Sequence, residues 1–258
     1  MDYKIVGHMT ALNAMAFLPK TIECIMECVD LLLIVESSES LYQFTCNSEG
    51  LSTDGTTEYL EKLNKLDNVQ CFHLGEVGHL MESRNFLLEQ TPEDTDFTMK
   101  LDADEAFFPE EYKRSLRHLP HDTIGMSNHY HFWKDVNHII TSKHPSHWNN
   151  YKPRFVPYTQ ETEYIKHDEF TSTYLEDLKC RLPLRIYHFG GLVTATKVRD
   201  RLTWHNMKNE GFTNFKAAQS HALQHFYFTD DYTNPIYQMD RGIGIEIKEF
   251  HGPLPIQF

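Results

Sequence analysis

Three carboxylates stand within four positions at Asp102, Asp104 and Glu105, directly after the apolar run Phe97-Thr98-Met99-Lys100-Leu101. The run reads as a β-strand. Side chains alternate faces along a strand, so Asp102 and Asp104 are expected to point one way and Ala103 the other. Neighbouring carboxylates repel and are costly to bury unpaired. A divalent cation relieves both problems. Hard cations such as Mg²⁺ or Mn²⁺ take one or two carboxylates and complete their shell with substrate phosphates. In an open α/β sheet the ligand site lies beyond the carboxyl ends of the strands, where this stretch falls. The competing reading is an acidic loop ahead of a helix that begins near Pro109.

The preceding hundred residues supply a frame for such a site. Strands are expected at Lys4–Gly7, at the continuous apolar run Leu31–Val35, at Val69–Leu74 and at Phe97–Leu101. A run apolar throughout suits a strand covered on both faces. Between them lie helices: one after Pro19 with Ile22, Ile25, Met26 and Val29 on one face, then Thr56–Leu66 and Leu80–Gln90. Strand and helix alternate with short connections, which predicts a parallel sheet with right-handed crossovers. The fold class is therefore α/β. Its centre is a Rossmann-like, mostly parallel sheet flanked by helices, joined to a mixed C-terminal lobe. One domain over 1–258 is expected, with a first half 1–108 and a second half 109–258. The second half is expected to hold a helix at Glu110–Leu119 and strands at Thr123–Trp133, Pro153–Pro157 and Leu184–His188. Two more helices are expected at Thr194–Lys208 and Asn214–Phe226, then an irregular tail after Asp230.

Composition limits the partners. The 258 residues carry a net charge of −13, with histidine counted neutral. Proteins that live on nucleic-acid backbones are usually basic, so a nucleic-acid partner is disfavoured. No apolar run is long enough to span a bilayer. The first residues lack the apolar core of a signal peptide. Five cysteines without framework spacing suit buried thiols in a reducing cytoplasm. His129, His131, His138, His144 and His147 match no zinc spacing, and a solvated histidine-rich loop is expected there.

Two further motifs precede the acidic one in order: Ser52-Thr53-Asp54-Gly55-Thr56, then Glu82-Ser83-Arg84-Asn85, then Leu101-Asp102-Ala103-Asp104-Glu105. Downstream come Arg154-Phe155, His167-Asp168-Glu169 and Ile186-Tyr187-His188-Phe189-Gly190. Together these resemble a family 2 type glycosyltransferase with the GT-A fold, over roughly residues 3–205. The resemblance implies a nucleotide-sugar donor, a divalent cation and a hydroxyl acceptor, on a glycan, a lipid-linked glycan or another molecule. It implies that Asp102 contacts the ribose or the metal and that Asp104 ligates the metal. His188 would be a third metal ligand, Arg84 would lie near the diphosphate, and Glu36 would read the base. Glu169 or Asp168 would be the general base. The sequence departs from the family at Thr10-Ala11-Leu12-Asn13-Ala14, where an Asn-Glu element is usual. It also departs in the long separation of Glu36 from the Ser-Thr-Asp-Gly turn.

The chemistry asks for the same groups. Breaking a sugar–phosphate bond leaves growing charge on a nucleoside diphosphate, which a cation and nearby basic side chains stabilise. Arg84, Lys197 and Arg201 are the candidates, and Arg84 could equally cap a sheet carboxylate. The acceptor hydroxyl needs a carboxylate base on the opposite face, which inverts the anomeric carbon. Trp133 and Trp148 could stack on a sugar or simply pack. His188 could ligate Mn²⁺ or sit in the core. Two rivals remain: an Asp-x-Asp phosphotransferase or phosphatase, and a GT-A-shaped module without catalysis.

Overall fold

The computed structural model describes residues 3–39, 45–133, 135–142, 151–166, 169–171, 178–192, 216–217 and 245–257; the side chains of 133, 142, 166, 169–171 and 245–247 lie outside that description. Twelve strands and four helices are described. The first part runs β1 (Ile5–Ala11), α1 (Leu18–Ile25), β2 (Leu31–Glu39), α2 (Thr56–Leu63), β3 (Val69–Val77), α3 (Leu80–Glu89) and β4 (Phe97–Asp102). Then come β5 (Glu105–Ala106), α4 (Pro109–Leu116), β6 (Ile124–Trp133), β7 (Asp135–Ser142) and β8 (Tyr151–Pro157). The last are β9 (Glu163–Lys166), β10 (Glu169–Thr171), β11 (Lys179–His188) and β12 (Ile245–Glu249).

The chain divides into two compact units. The first holds residues 1–129, 151–186 and 255–258; the second holds 130–150 and 187–254. In the first unit β1 pairs in parallel with both β2 and β4, and β2 pairs in parallel with β3. This is the expected Rossmann-like core. Beyond β4 the pairing turns antiparallel, through β8 to the first residues of β6. In the second unit β7 lies between β12 and the last residues of β6, antiparallel to both.

Register sorts the side chains. Val6 pairs with Leu31, and Thr10 pairs with Val35 on one side and Asp102 on the other. Directly paired residues share a face, so Val6, His8, Thr10, Leu33, Val35, Lys100 and Asp102 all lie on one side of the sheet. Helix α3 covers that side, burying Leu87 against Val6, Leu33 and Val35. Ile34, Glu36, Cys71 and Met99 occupy the other face.

The stretch after Asp230, expected to be irregular, contains β12. The described part of the histidine-rich stretch, expected to be a solvated loop, is strand: His131 lies on β6 and His138 on β7, and His129 is buried on β6, while His144 and His147 fall outside the described residues. Backbone pairing explains it, because β7 is completed by β12 from a hundred residues later. Cys24, Cys28 and Cys71 are buried thiols, whereas Cys46 and Cys180 are only half-buried. No helix among the described residues is long and apolar enough to cross a membrane.

His8 is fully buried on β1. Its Nε2 lies 2.8 Å from the Thr91 hydroxyl, which itself donates to the Leu87 carbonyl, so Nε2 carries the proton. Nδ1 has no hydrogen-bond partner. Burial, helped by the charge of Arg84, pushes the imidazole from 6.5 down to about 3. Between those values the unfolded chain binds a proton that the folded chain refuses. Stability is therefore full above pH 6.5 and falls as pH drops toward 3, by up to roughly 1.4 kcal/mol per pH unit from this group. Urea unfolding at a series of pH values should show a shallower acid slope in His8→Leu than in the parent. Equal slopes would refute this account.

Candidate active site

The carboxyl ends of β1, β2 and β4 form one edge of the parallel block, and each is fastened differently. After β1 the chain turns at Asn13, whose φ of 49° is the left-handed conformation that Asn tolerates better than most residues. The Ser52–Thr56 turn lies against it. The Asn13 amide donates to the Ser52 hydroxyl (2.9 Å), that of Ala14 to the Thr56 hydroxyl (2.8 Å) and that of Met15 to the Asp54 carboxylate (3.1 Å). In return the Thr53 amide donates to the Asn13 side-chain oxygen at 2.8 Å. Gly55, with φ 96°, lets this turn enter α2. The two stretches singled out separately in the sequence are thus one structure.

Glu36 lies against the same turn in spite of the long separation. It is fully buried, and its Oε1 accepts from the Ser52 amide (2.9 Å) and the Thr57 hydroxyl (2.8 Å). Its Oε2 lies 2.6 Å from His73 Nδ1, on the paired residue of β3. Both oxygens are engaged within the protein, on the sheet face opposite Asp102. Its neighbours on β2 hold α3 instead. Ser37 and Ser83 hydroxyls lie 2.7 Å apart, and the Glu39 carboxylate accepts from the Leu80 amide at the start of α3 (2.9 Å).

Helix α3 in turn presents Arg84. Its side chain is fully buried and donates from Nη2 to Asp102 Oδ1 at 2.7 Å, with the guanidinium 5.8 Å from the Tyr164 ring centre. Of the readings left open for Arg84, the structure displays the cap on a sheet carboxylate. Asp102 keeps a quarter of its side chain exposed (26%).

The acidic run divides three ways. Strand β4 ends at Asp102, and Ala103–Asp104 form a turn into β5. The alternation expected for Asp102 and Asp104 therefore does not apply, because Asp104 is not on a strand. Glu105 is buried. Its Oε2 accepts from the Asp102 amide (3.1 Å) and its Oε1 from Arg154 Nη2 (2.5 Å). Burial pushes its carboxyl up and Arg154 opposes that, while Asp102 and Asp104 add to the rise. Arg154 Nη1 also donates to the Lys100 carbonyl (2.9 Å), and Nε to His129 Nε2 (3.0 Å). Glu105, Arg154, His129 and Tyr164 had no role assigned from sequence. The available signal was Arg154 itself, a charge inside the strand Lys152-Pro153-Arg154-Phe155-Val156, which needs a buried partner.

His188 lies in the second unit, where its Nδ1 is 3.2 Å from His131 Nδ1. Trp133 is on β6 and Glu169 on β10, but their side chains fall outside the described residues, as do Trp148, Asp168, Lys197 and Arg201 entirely. Among the described residues no three His, Cys, Asp or Glu side chains converge on one point. An all-protein metal cage is therefore not present among them. There remain a partly exposed carboxylate at Asp102 and a second at Asp104 in the adjoining turn, the donor type that hard cations take together with phosphate and water.

No family model matches the chain, and no curated protein matches it. Solved structures do. The chain is similar to S. aureus TarS 1–349, at 12% identity over 88% of this chain and 72% of that one, with a TM-score of 0.45. It is similar to GalNAc-T7 with UDP, GalNAc and Mn²⁺, at 10% identity over 84% and 51%, TM-score 0.46. A third is glucosyl-3-phosphoglycerate synthase from Mycobacterium tuberculosis with Mn²⁺, UDP and glucosyl-3-phosphoglycerate, at 17% identity over 50% and 44%, TM-score 0.36. Against TarS 1–349 in complex with UDP-GlcNAc the chain spans 36% of that structure's length. At these identities and TM-scores the functional reading rests on this chain's own residues.

Proposed function

We propose that the protein is a metal-dependent, inverting glycosyltransferase of the GT-A, family 2 type, moving a sugar from a UDP-sugar to an acceptor hydroxyl. The observation that carries this reading is Asp102, at the carboxyl end of β4, the last strand of the parallel block, gripped by a buried Arg84 with Asp104 in the turn that follows. Asp102 and Asp104 would hold Mn²⁺ or Mg²⁺, with phosphate and water completing the shell; His188, expected as a third ligand, does not join them in a three-residue cluster among the described residues. When bound, the cation would neutralise charge growing on the departing diphosphate. Arg84 aims Asp102 through their 2.7 Å ion pair, and Lys197 and Arg201 are proposed for the phosphates. Glu36 is proposed to serve the donor base through the Ser52–Thr57 turn that it holds. Trp133 and Trp148 are proposed for the acceptor sugar.

Titration calorimetry of UDP tests the reading. Binding is expected with Mn²⁺ and not with EDTA, and equal affinity in both would sink the metal role. Nucleotide-sugar hydrolysis with Mn²⁺ separates this activity from a phosphatase, which would act on phosphomonoesters instead.

Glu169 is proposed as the base, with Asp168 the alternative one residue back. Glu169→Gln keeps size and removes basicity. Turnover should fall by ~100-fold or more, within the usual range for loss of a general base, with UDP affinity unchanged. A loss in Asp168→Asn instead would move the role to that residue.

A further inference from the structure

We propose that Arg154 is a positioning residue for the Asp102–Asp104 turn, acting through Glu105. Arg154 touches the chain on both sides of Asp102. Its Nη1 holds the Lys100 carbonyl directly, and its Nη2 holds Glu105, whose other oxygen takes the Asp102 amide. The guanidinium is a rigid fork, so these two bonds fix a distance and an angle together. His129 accepts from Nε and sets the plane of the fork. All three side chains are buried, so no solvent competes for these bonds.

The arrangement is more than core filling. A buried strand end needs no cation to satisfy it, and apolar residues of similar volume would stabilise the fold as well or better. What the charged set provides is a defined backbone path from residue 100 to residue 105, the segment that carries both carboxylates. Arg84 fixes the Asp102 side chain from α3; Arg154 fixes its backbone from β8. Groups that orient metal-binding side chains in this way typically change metal affinity 10–100-fold when removed. The inference deepens the glycosyltransferase reading, and depends on it only where metal and UDP enter the test.

The test has two arms, on Arg154→Met, Arg154→Lys and Glu105→Gln. In the first, amide hydrogen exchange is followed in the free protein. Exchange of the segment 101–106 should rise at least ~10-fold in Arg154→Met, with β1 and β2 unchanged. Arg154→Lys keeps the charge but not the fork, and should show a smaller rise in the same segment. In the second arm, Mn²⁺-dependent UDP affinity should fall at least ~10-fold in Arg154→Met. Should Arg154→Met fail to fold, the same two readings on Arg154→Lys and Glu105→Gln decide. Exchange that rises evenly over the whole sheet, or stays at the parent level, overturns the positioning role. A parent protein that binds no UDP with Mn²⁺ overturns the glycosyltransferase reading alone, and the exchange arm still judges Arg154.

Discussion

Asp104→Ala is expected to lower sugar transfer by at least ~100-fold while leaving the fold intact. The size follows from removing a principal group that stabilises charge on the leaving diphosphate. The intact fold follows from position. Asp104 lies in a two-residue turn and is partly exposed, and substitutions away from a core or a buried network usually change stability by about 0.5 kcal/mol or less. UDP release from a panel of UDP-sugars with Mn²⁺ gives the rate, and thermal melting gives the stability. Normal turnover in a folded variant would remove Asp104 from the site. A collapse of melting temperature with turnover would make Asp104 a structural residue.

The largest stability loss is expected one residue on. Glu105→Ala leaves the Arg154 guanidinium buried without its carboxylate, and arginine cannot shed its charge. Removing one partner of a buried pair typically costs about 3–5 kcal/mol. Arg154→Met should cost less, because the carboxyl left behind can take up a proton. That carboxyl is already pushed up in the intact protein, and losing Arg154 pushes it further. The folded variant then holds a proton that the unfolded chain, titrating near 4.5, releases. Its stability should therefore fall as pH rises above about 4.5. Glu105→Ala has no such carboxyl and no such dependence. Urea unfolding of both variants at pH 5 and pH 8 separates them. A Glu105→Ala variant as stable as the parent would mean that the pair stabilises nothing.

Much of this arrangement was legible from the amino-acid order, and the reasons differ by element. Leu31–Val35 was readable as a strand because a strand covered on both faces needs apolar residues throughout, and Phe97–Leu101 because its apolar residues Phe97, Met99 and Leu101 alternate along it. Periodicity placed α1, α2 and α3 to within a few residues. β7 was not readable: its residues His138-Ile139-Ile140-Thr141 form a short run, and one of its two partners, β12, is distant in the chain. Local pattern carries no signal for such a pairing. At the site, the type of each residue was informative but its direction was not. Glu36 and Asp102 both lie toward the carboxyl ends of strands of one sheet, yet register puts them on opposite faces. Glu105 was visible as a third acid and hidden as the one that is buried, since only β8 brings Arg154 beside it.

The fastening between the β1 loop and the Ser52–Thr56 turn is lopsided. Ser52, Asp54 and Thr56 supply side chains, whereas Asn13, Ala14 and Met15 supply backbone N–H groups. Every residue but proline has that N–H, so positions 14 and 15 can drift through many side chains with the fastening intact. Positions 52, 54 and 56 cannot, because each bond there depends on one particular oxygen. Over evolutionary time the loop at 14–15 is thus free to diversify at the mouth of the sheet, and the turn that holds it carries the constraint on its behalf.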